Sequence, residues 1–262
     1  MKPEELKTIL SSAGINGNVN TRDTIQAVEL FSGTETHINF INALELKETN
    51  FNESKEMVFS EDEMINSSYY RIIANAYCGY PQPEDGYIEK SYDRLTGCPR
   101  CGNGMVQKSE LHMNKPKMGS KDIAGIHWVY EFAVTSRLKQ MIESQELTGC
   151  ELWPIISPKT KKKHEEVYQL HINSFMPPMS AETSIIKSGV NACECGKTGY
   201  MLEGLAYYTK DSLQNTTDFN KTSEWLGGGH GSWQLIIVQK AFYNMYKSHK
   251  LKGIRFEPVF VT

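Results

Sequence analysis

The 262-residue chain carries 28 basic and 31 acidic residues for a net charge of −3, with 39% hydrophobic and 23% charged residues. That composition supplies a core and argues against a mainly disordered chain; the small net charge gives no global pull toward nucleic acid or anionic lipid. No apolar run approaches the ~20 residues that span a bilayer, and Met1-Lys2-Pro3-Glu4-Glu5-Leu6 lacks the apolar segment of a secretory signal. A soluble cytoplasmic protein is the expectation.

Pro3 to Ser12 reads as an opening helix with Gly14 just past its end. A strand is expected near His37–Leu46. Between Glu45 and Glu63, seven acidic residues stand against Lys47 and Lys55, a strip suited to a basic partner or simply to solvent. Ser60-Glu61-Asp62-Glu63 has capping-box spacing, and Met64, Ile65, Ile72 and Ile73 carry the expected helix to about Ala76. Pro81-Gln82-Pro83-Glu84-Asp85-Gly86 reads as a joint. It divides an N-terminal α/β extension, 1–86, from a second domain, 87–262.

Six cysteines are too sparse for a disulfide scaffold, but four form two tight pairs, each followed by glycine. Cys98-Pro99-Arg100-Cys101-Gly102 has zinc-knuckle spacing: two thiolates three residues apart can share one metal and leave two tetrahedral positions for a second pair. The trailing glycine permits positive φ, turning amides toward the sulfur. Cys193-Glu194-Cys195-Gly196 is one residue short of that spacing and lies 91 residues further on. A redox pair and unrelated thiols are the alternatives; redox Cys-x-x-Cys pairs open a helix, whereas Gly97 and Gly102-Asn103-Gly104 read as loop. The preferred reading is one structural zinc ion per chain held by Cys98, Cys101, Cys193 and Cys195. Such a closed shell has no position for substrate. Cys78 and Cys150 stand alone.

A shift of 104 residues lays His127–Ile156 on Gly231–Phe260, with identities at Val134/Val238, Met141/Met245, Ser144/Ser248, Leu147/Leu251, Gly149/Gly253 and Pro154/Pro258. Each copy parses as strand (Val129–Val134 or Trp233–Val238), helix, turn at Gly149 or Gly253, and strand. The fold class expected is therefore α+β: duplicated strand–helix–strand units, about 127–156 and 231–260, joined by a four-cysteine site. The basic run Lys159 and Lys161-Lys162-Lys163-His164 reads as a solvated loop. Trp225 to Trp233, with four glycines and His230, reads as a flexible loop. No Gly-x-Ser-x-Gly, His-Glu-x-x-His or dinucleotide fingerprint occurs.

The two glycine-trailed cysteine pairs and the closing Leu251-Lys252-Gly253-Ile254-Arg255-Phe256-Glu257-Pro258-Val259 resemble the double-CxxCG motif family, bacterial proteins classed with the immunity proteins of polymorphic toxin systems. The resemblance spans about 87–262. It implies a cytoplasmic protein that neutralises a cognate toxin by binding it, with no catalysis of its own, and it carries over only Cys98, Cys101, Cys193 and Cys195 as ligands. The second pair departs from the family pattern by one residue. A zinc-ribbon nucleic-acid binder using Cys98, Cys101 and Lys161–Lys163 is the alternative, disfavoured by the net charge. An enzyme using His230 or His171 has no nucleophile–base pair to support it. Oligomeric state is left open.

Overall fold

The computed structural model describes residues 3–13, 20–22, 25–28, 30, 34–46, 57–93, 95–187, 193–197, 199–227 and 231–262. They fall into two units, 1–58 and 59–262. The boundary lies between Val58 and Phe59, upstream of the segment 81–86 expected to carry it.

In the first unit, helix α1 (Pro3–Ser12) is followed by a short antiparallel ribbon, β1 (Asn20–Arg22) with β2 (Ile25–Ala27), and by helix α2 (Glu35–Leu46). The strand expected at His37–Leu46 is this helix. Thr34 Oγ1 accepts the His37 N–H at 3.2 Å at its start. Phe40 and Leu44, four residues apart on one face, bury with Leu6, Ile9, Leu10 and Ala13. Partners supplied by α1 decided between two local patterns. Glu48, Glu53 and Glu56 of the acidic strip, with Lys47, Lys55 and Gly14, lie outside the described residues.

The second unit begins with α3 (Glu61–Asn66). Its capping box is formed: Ser60 Oγ accepts the Glu63 N–H at 3.2 Å, and Glu63 Oε2 accepts the Ser60 N–H at 2.8 Å. The helix stops ten residues short of the expected end, because Ile72 and Ile73 belong to strand β3 (Tyr69–Ala74). After α4 (Tyr87–Ser91) come β4 (Tyr92–Asp93), β5 (Val106–Gln107), β6 (Ile123–Ile126), β7 (Glu131–Thr135), α5 (Ser136–Ser144), β8 (Cys150–Ile156) and β9 (Lys163–Ile172). The rest comprises β10 (Ser184–Lys187), β11 (Tyr200–Glu203), β12 (Tyr207–Tyr208), β13 (Phe219–Lys221), β14 (Ile236–Gln239), α6 (Lys240–Ser248) and β15 (Ile254–Val261).

Both expected strand–helix–strand triples are present, β7-α5-β8 and β14-α6-β15, each with its first strand starting slightly later than read. In each sheet the two strands of the triple run parallel to each other and are separated by one antiparallel strand. The first sheet runs β6-β7-β9-β8 and the second β12-β15-β3-β14-β13. The inserted strands occupy matching registers. Tyr168 on β9 faces Val134 and Pro154; Tyr70 on β3 faces Val238 and Pro258. On the outer side, Ile123 pairs with Val134 and Phe219 with Val238. In sheet one the inserted strand follows the triple in sequence, and in sheet two it comes from far upstream.

β3 is why 59–86 cannot belong to a separate N-terminal domain: this strand is hydrogen-bonded on both edges inside the second sheet. One core takes side chains from both sheets and both helices, including Ile123, Val134, Leu138, Leu170, Tyr70, Val238 and Phe242. At roughly 25 cal/mol per Å², burying side chains of this size contributes about 1.5–3 kcal/mol each.

Candidate metal centre

Each cysteine pair sits in a glycine-closed turn. Cys98 O accepts the Gly102 N–H at 2.9 Å, a five-residue turn, and Cys193 O accepts the Gly196 N–H at 2.9 Å, a four-residue turn. Gly102 and Gly196 have φ of +76° and +70°, a region costly for other residues. The pair that is one residue short is thus accommodated by a tighter turn that still presents both sulfurs.

The turns meet. Cys98 Sγ lies 3.7 Å from Cys193 Sγ, and Cys101 Sγ lies 3.7 Å from Cys195 Sγ. All four sulfurs fall within 4.8 Å of one another. A tetrahedral metal with bonds of about 2.3 Å to sulfur needs sulfurs about 3.8 Å apart, so the cluster fits a single four-thiolate ion after small side-chain adjustments. Four soft donors in that arrangement select zinc or an iron–sulfur centre over hard cations.

The surroundings tie one turn to the other. Arg100 donates to Glu194 at 2.8 Å, and Asn103 Nδ2 donates to Lys197 O at 3.1 Å. Cys98 N–H is held by Asn103 O at 2.8 Å, and Cys101 O accepts the Ser232 N–H at 2.8 Å. Cys101 and Cys193 are buried, and Cys98 and Cys195 half-buried. Backbone amides of Cys101 and Arg100 favour the Cys98 thiolate and bring its pKa to about 6, whereas burial pushes Cys101 up to about 12. A buried thiolate needs a neighbouring positive charge, which a bound cation supplies. Cys78 and Cys150, both outside the cluster, are held at about 12 chiefly by burial and are unreactive thiols.

Among the described residues no other group of His, Cys, Asp and Glu is arranged to hold a metal. Lys161 and Lys162 lie between β8 and β9, with Lys163 opening β9, and all three are exposed. His171 stacks on Trp153 at 3.9 Å in the first sheet, with burial lowering its pKa. His230 lies outside the described residues. Among the described residues no helix is long and apolar enough to cross a membrane. No family model matches the chain, and no curated protein matches it.

Sequence reasoning missed two contacts that join the two sheets. Asp122 Oδ2 accepts the Lys252 N–H at 3.0 Å, and Asp218 Oδ2 accepts the Thr148 N–H at 2.8 Å. The donors directly precede Gly253 and Gly149. A Cβ at Gly149 would lie 2.2 Å from Phe219 O, and one at Gly253 1.7 Å from Ile123 O. The matched glycines were visible in sequence; the aspartates lie outside the matched windows.

Proposed function

We propose that this is a non-catalytic binding protein of the immunity type, in which one structural zinc ion held by Cys98, Cys101, Cys193 and Cys195 fastens two halves of a duplicated α+β fold. The observation that carries the reading is the convergence of four thiols from two distant turns. Four protein ligands leave a zinc ion no open position, so its chemistry here is cohesion. The duplication is supported by the matched registers around Tyr70 and Tyr168. It is supported again by the reciprocal aspartate contacts. A repeat unit consisting of central strand, cysteine turn, two strands, helix and strand accounts for the chain order. On that parsing the units begin at β3 and β9, and each lends its first strand to the other's sheet.

The test pairs metal analysis with co-expression. Purified protein is expected to carry about one zinc per chain. Co-expression with the product of the adjacent gene is expected to relieve that product's toxicity and yield a stable complex. Metal-free, folded protein would overturn the zinc assignment; undiminished toxicity, or no toxicity to relieve, would overturn the immunity role.

A further inference from the structure

The turn between β6 and β7 carries His127-Trp128-Val129-Tyr130, and two of its bulky residues sit in the left-handed region: Trp128 at φ +72° and Tyr130 at φ +53°. Glycine or asparagine is the unstrained choice there. Strained bulky residues persist where the surroundings or a function demand them. The surroundings hold the rings only in part. Trp128 is 50% exposed and Tyr130 46%.

The two rings organise a larger aromatic surface. Trp128 packs on Tyr80 at 4.7 Å and on Tyr87 at 5.9 Å. Tyr130 stacks on Trp233 at 4.4 Å, and Tyr77, half exposed, stacks on His127 at 4.1 Å. Tyr77 is itself pressed against Gly125, where a Cβ would come within 2.8 Å of the ring. The turn thus carries three ring groups, Tyr80–Tyr87–Trp128, Tyr130–Trp233 and Tyr77–His127, in which Tyr77, Tyr80, Trp128 and Tyr130 remain exposed.

Its border is acidic. Between Tyr80 and the end of α4 stand three exposed carboxylates, Glu84, Asp85 and Glu89. Glu84 also accepts the Tyr80 hydroxyl. The one lysine of that segment, Lys90, is placed beside His112. Aromatic faces attract cations through the ring quadrupole, most strongly for tryptophan, and arginine's planar guanidinium suits both a ring face and a carboxylate.

We infer that the Tyr80–Tyr87–Trp128 face, bordered by Glu84, Asp85 and Glu89, is a docking surface for an arginine-bearing segment of a protein partner. The inference rests on the binding function proposed above and adds where the partner sits and with what chemistry. Aromatic anchors ringed by charge are the usual composition of an energetic centre in a protein interface. The three carboxylates select for positive partners and against phosphate backbones.

The experiment uses the full-length protein, metal-loaded, at about 150 mM salt. Its tryptophan fluorescence is titrated with a nona-arginine peptide, a nona-lysine peptide and an oligothymidylate. Saturable binding is expected for arginine, weaker binding for lysine and none for oligothymidylate. The variant Trp128→Gly removes the ring and the left-handed strain together. It is expected to melt at or above the parent temperature while losing about tenfold in affinity for the arginine peptide; Glu84→Gln with Asp85→Asn should weaken it comparably, and Tyr80→Leu supplies an independent check. No arginine binding, or binding untouched by these changes, overturns the inference. So does a large loss of stability in Trp128→Gly, which would make the ring structural. Oligothymidylate binding abolished by Trp128→Gly, or a self-associated form dissolved by it, would assign the face to another occupant. None of these results bears on zinc content or on rescue by co-expression, so the broader function stands or falls separately.

Discussion

The carboxylate of Asp122, at the threshold of β6, accepts the backbone N–H of Lys252 at 3.0 Å, more than a hundred residues away in sequence. The same group also takes Arg137 at 3.0 Å and is 8% exposed. Asp218, at the start of β13, likewise accepts both the N–H and the hydroxyl of Thr148 at 2.8 Å. Each aspartate thus seats a helix-to-strand turn of one sheet, α6–β15 or α5–β8, at the start of a strand of the other, β6 or β13. Asp122→Ala removes the acceptor of the part-buried Lys252 amide and the carboxylate partner of Arg137, which keeps its bond to His249 O, and is expected to cost about 1–3 kcal/mol; the more exposed Asp218→Ala should cost about 1 kcal/mol. Urea denaturation of the single variants checks both, and no change in midpoint for Asp122→Ala would refute the seating role.

Removing a cysteine ligand should do more. Cys101→Ser is expected to abolish stoichiometric zinc and lower the melting temperature sharply, since a structural zinc site contributes several kcal/mol. Cys150→Ser, outside the cluster, should leave metal content unchanged. Arg100→Ala is the instructive contrast. Its bond to Glu194 spans the same two turns, but both side chains are exposed (58% and 89%). The loss there should be under about 1 kcal/mol. Metal analysis with calorimetry separates the three cases.

What the sequence made legible was what short-range pattern encodes. The triples around α5 and α6 were readable because their apolar spacing, glycine and proline recur in order, and the capping box at Ser60 and Glu63 because it is local by nature. The cysteine cluster was readable because the chemistry of sulfur limits what two such pairs can do. β3 was not. Tyr69–Ala74 becomes a strand through pairing with β14 and β15, both more than 160 residues downstream, and nothing nearby announces that pairing. The domain boundary failed for the same reason. α2 failed because Phe40 and Leu44 gain a face only when α1 is packed against them. The aromatic turn was absorbed into a strand reading that began at Val129.

Alkaline pH should weaken the fold. Burial raises Cys78 and Cys150 from an ordinary 9.0 to about 12, and Tyr70 from 10.0 to about 12. The folded chain keeps these protons through a range in which the unfolded chain releases them. Their contribution is therefore complete below pH 9, where the unfolded groups are still protonated, and is lost as pH climbs through the interval toward 12. Urea midpoints taken between those limits should fall steadily, and Cys78→Ala should flatten part of the slope. A midpoint independent of pH across that interval would contradict the assignment.

Glu131 on β7 and Lys221 on β13 join the two sheets by an ion pair with side chains only 6% and 16% exposed. Among the described residues the second oxygen of Glu131 has no hydrogen-bond partner and is buried, so Lys221 is the principal compensation for its charge. Desolvation of such a pair roughly cancels its attraction, whereas removing one member leaves the other charge stranded. Lys221→Met is accordingly expected to cost about 3–5 kcal/mol, and the double variant Glu131→Leu with Lys221→Met to recover most of that loss. A double-mutant cycle in urea measures the coupling directly. If the double variant were as unstable as Lys221→Met alone, the cost would lie in lost packing of the lysine stem, and the pair would owe its place to shape instead of charge.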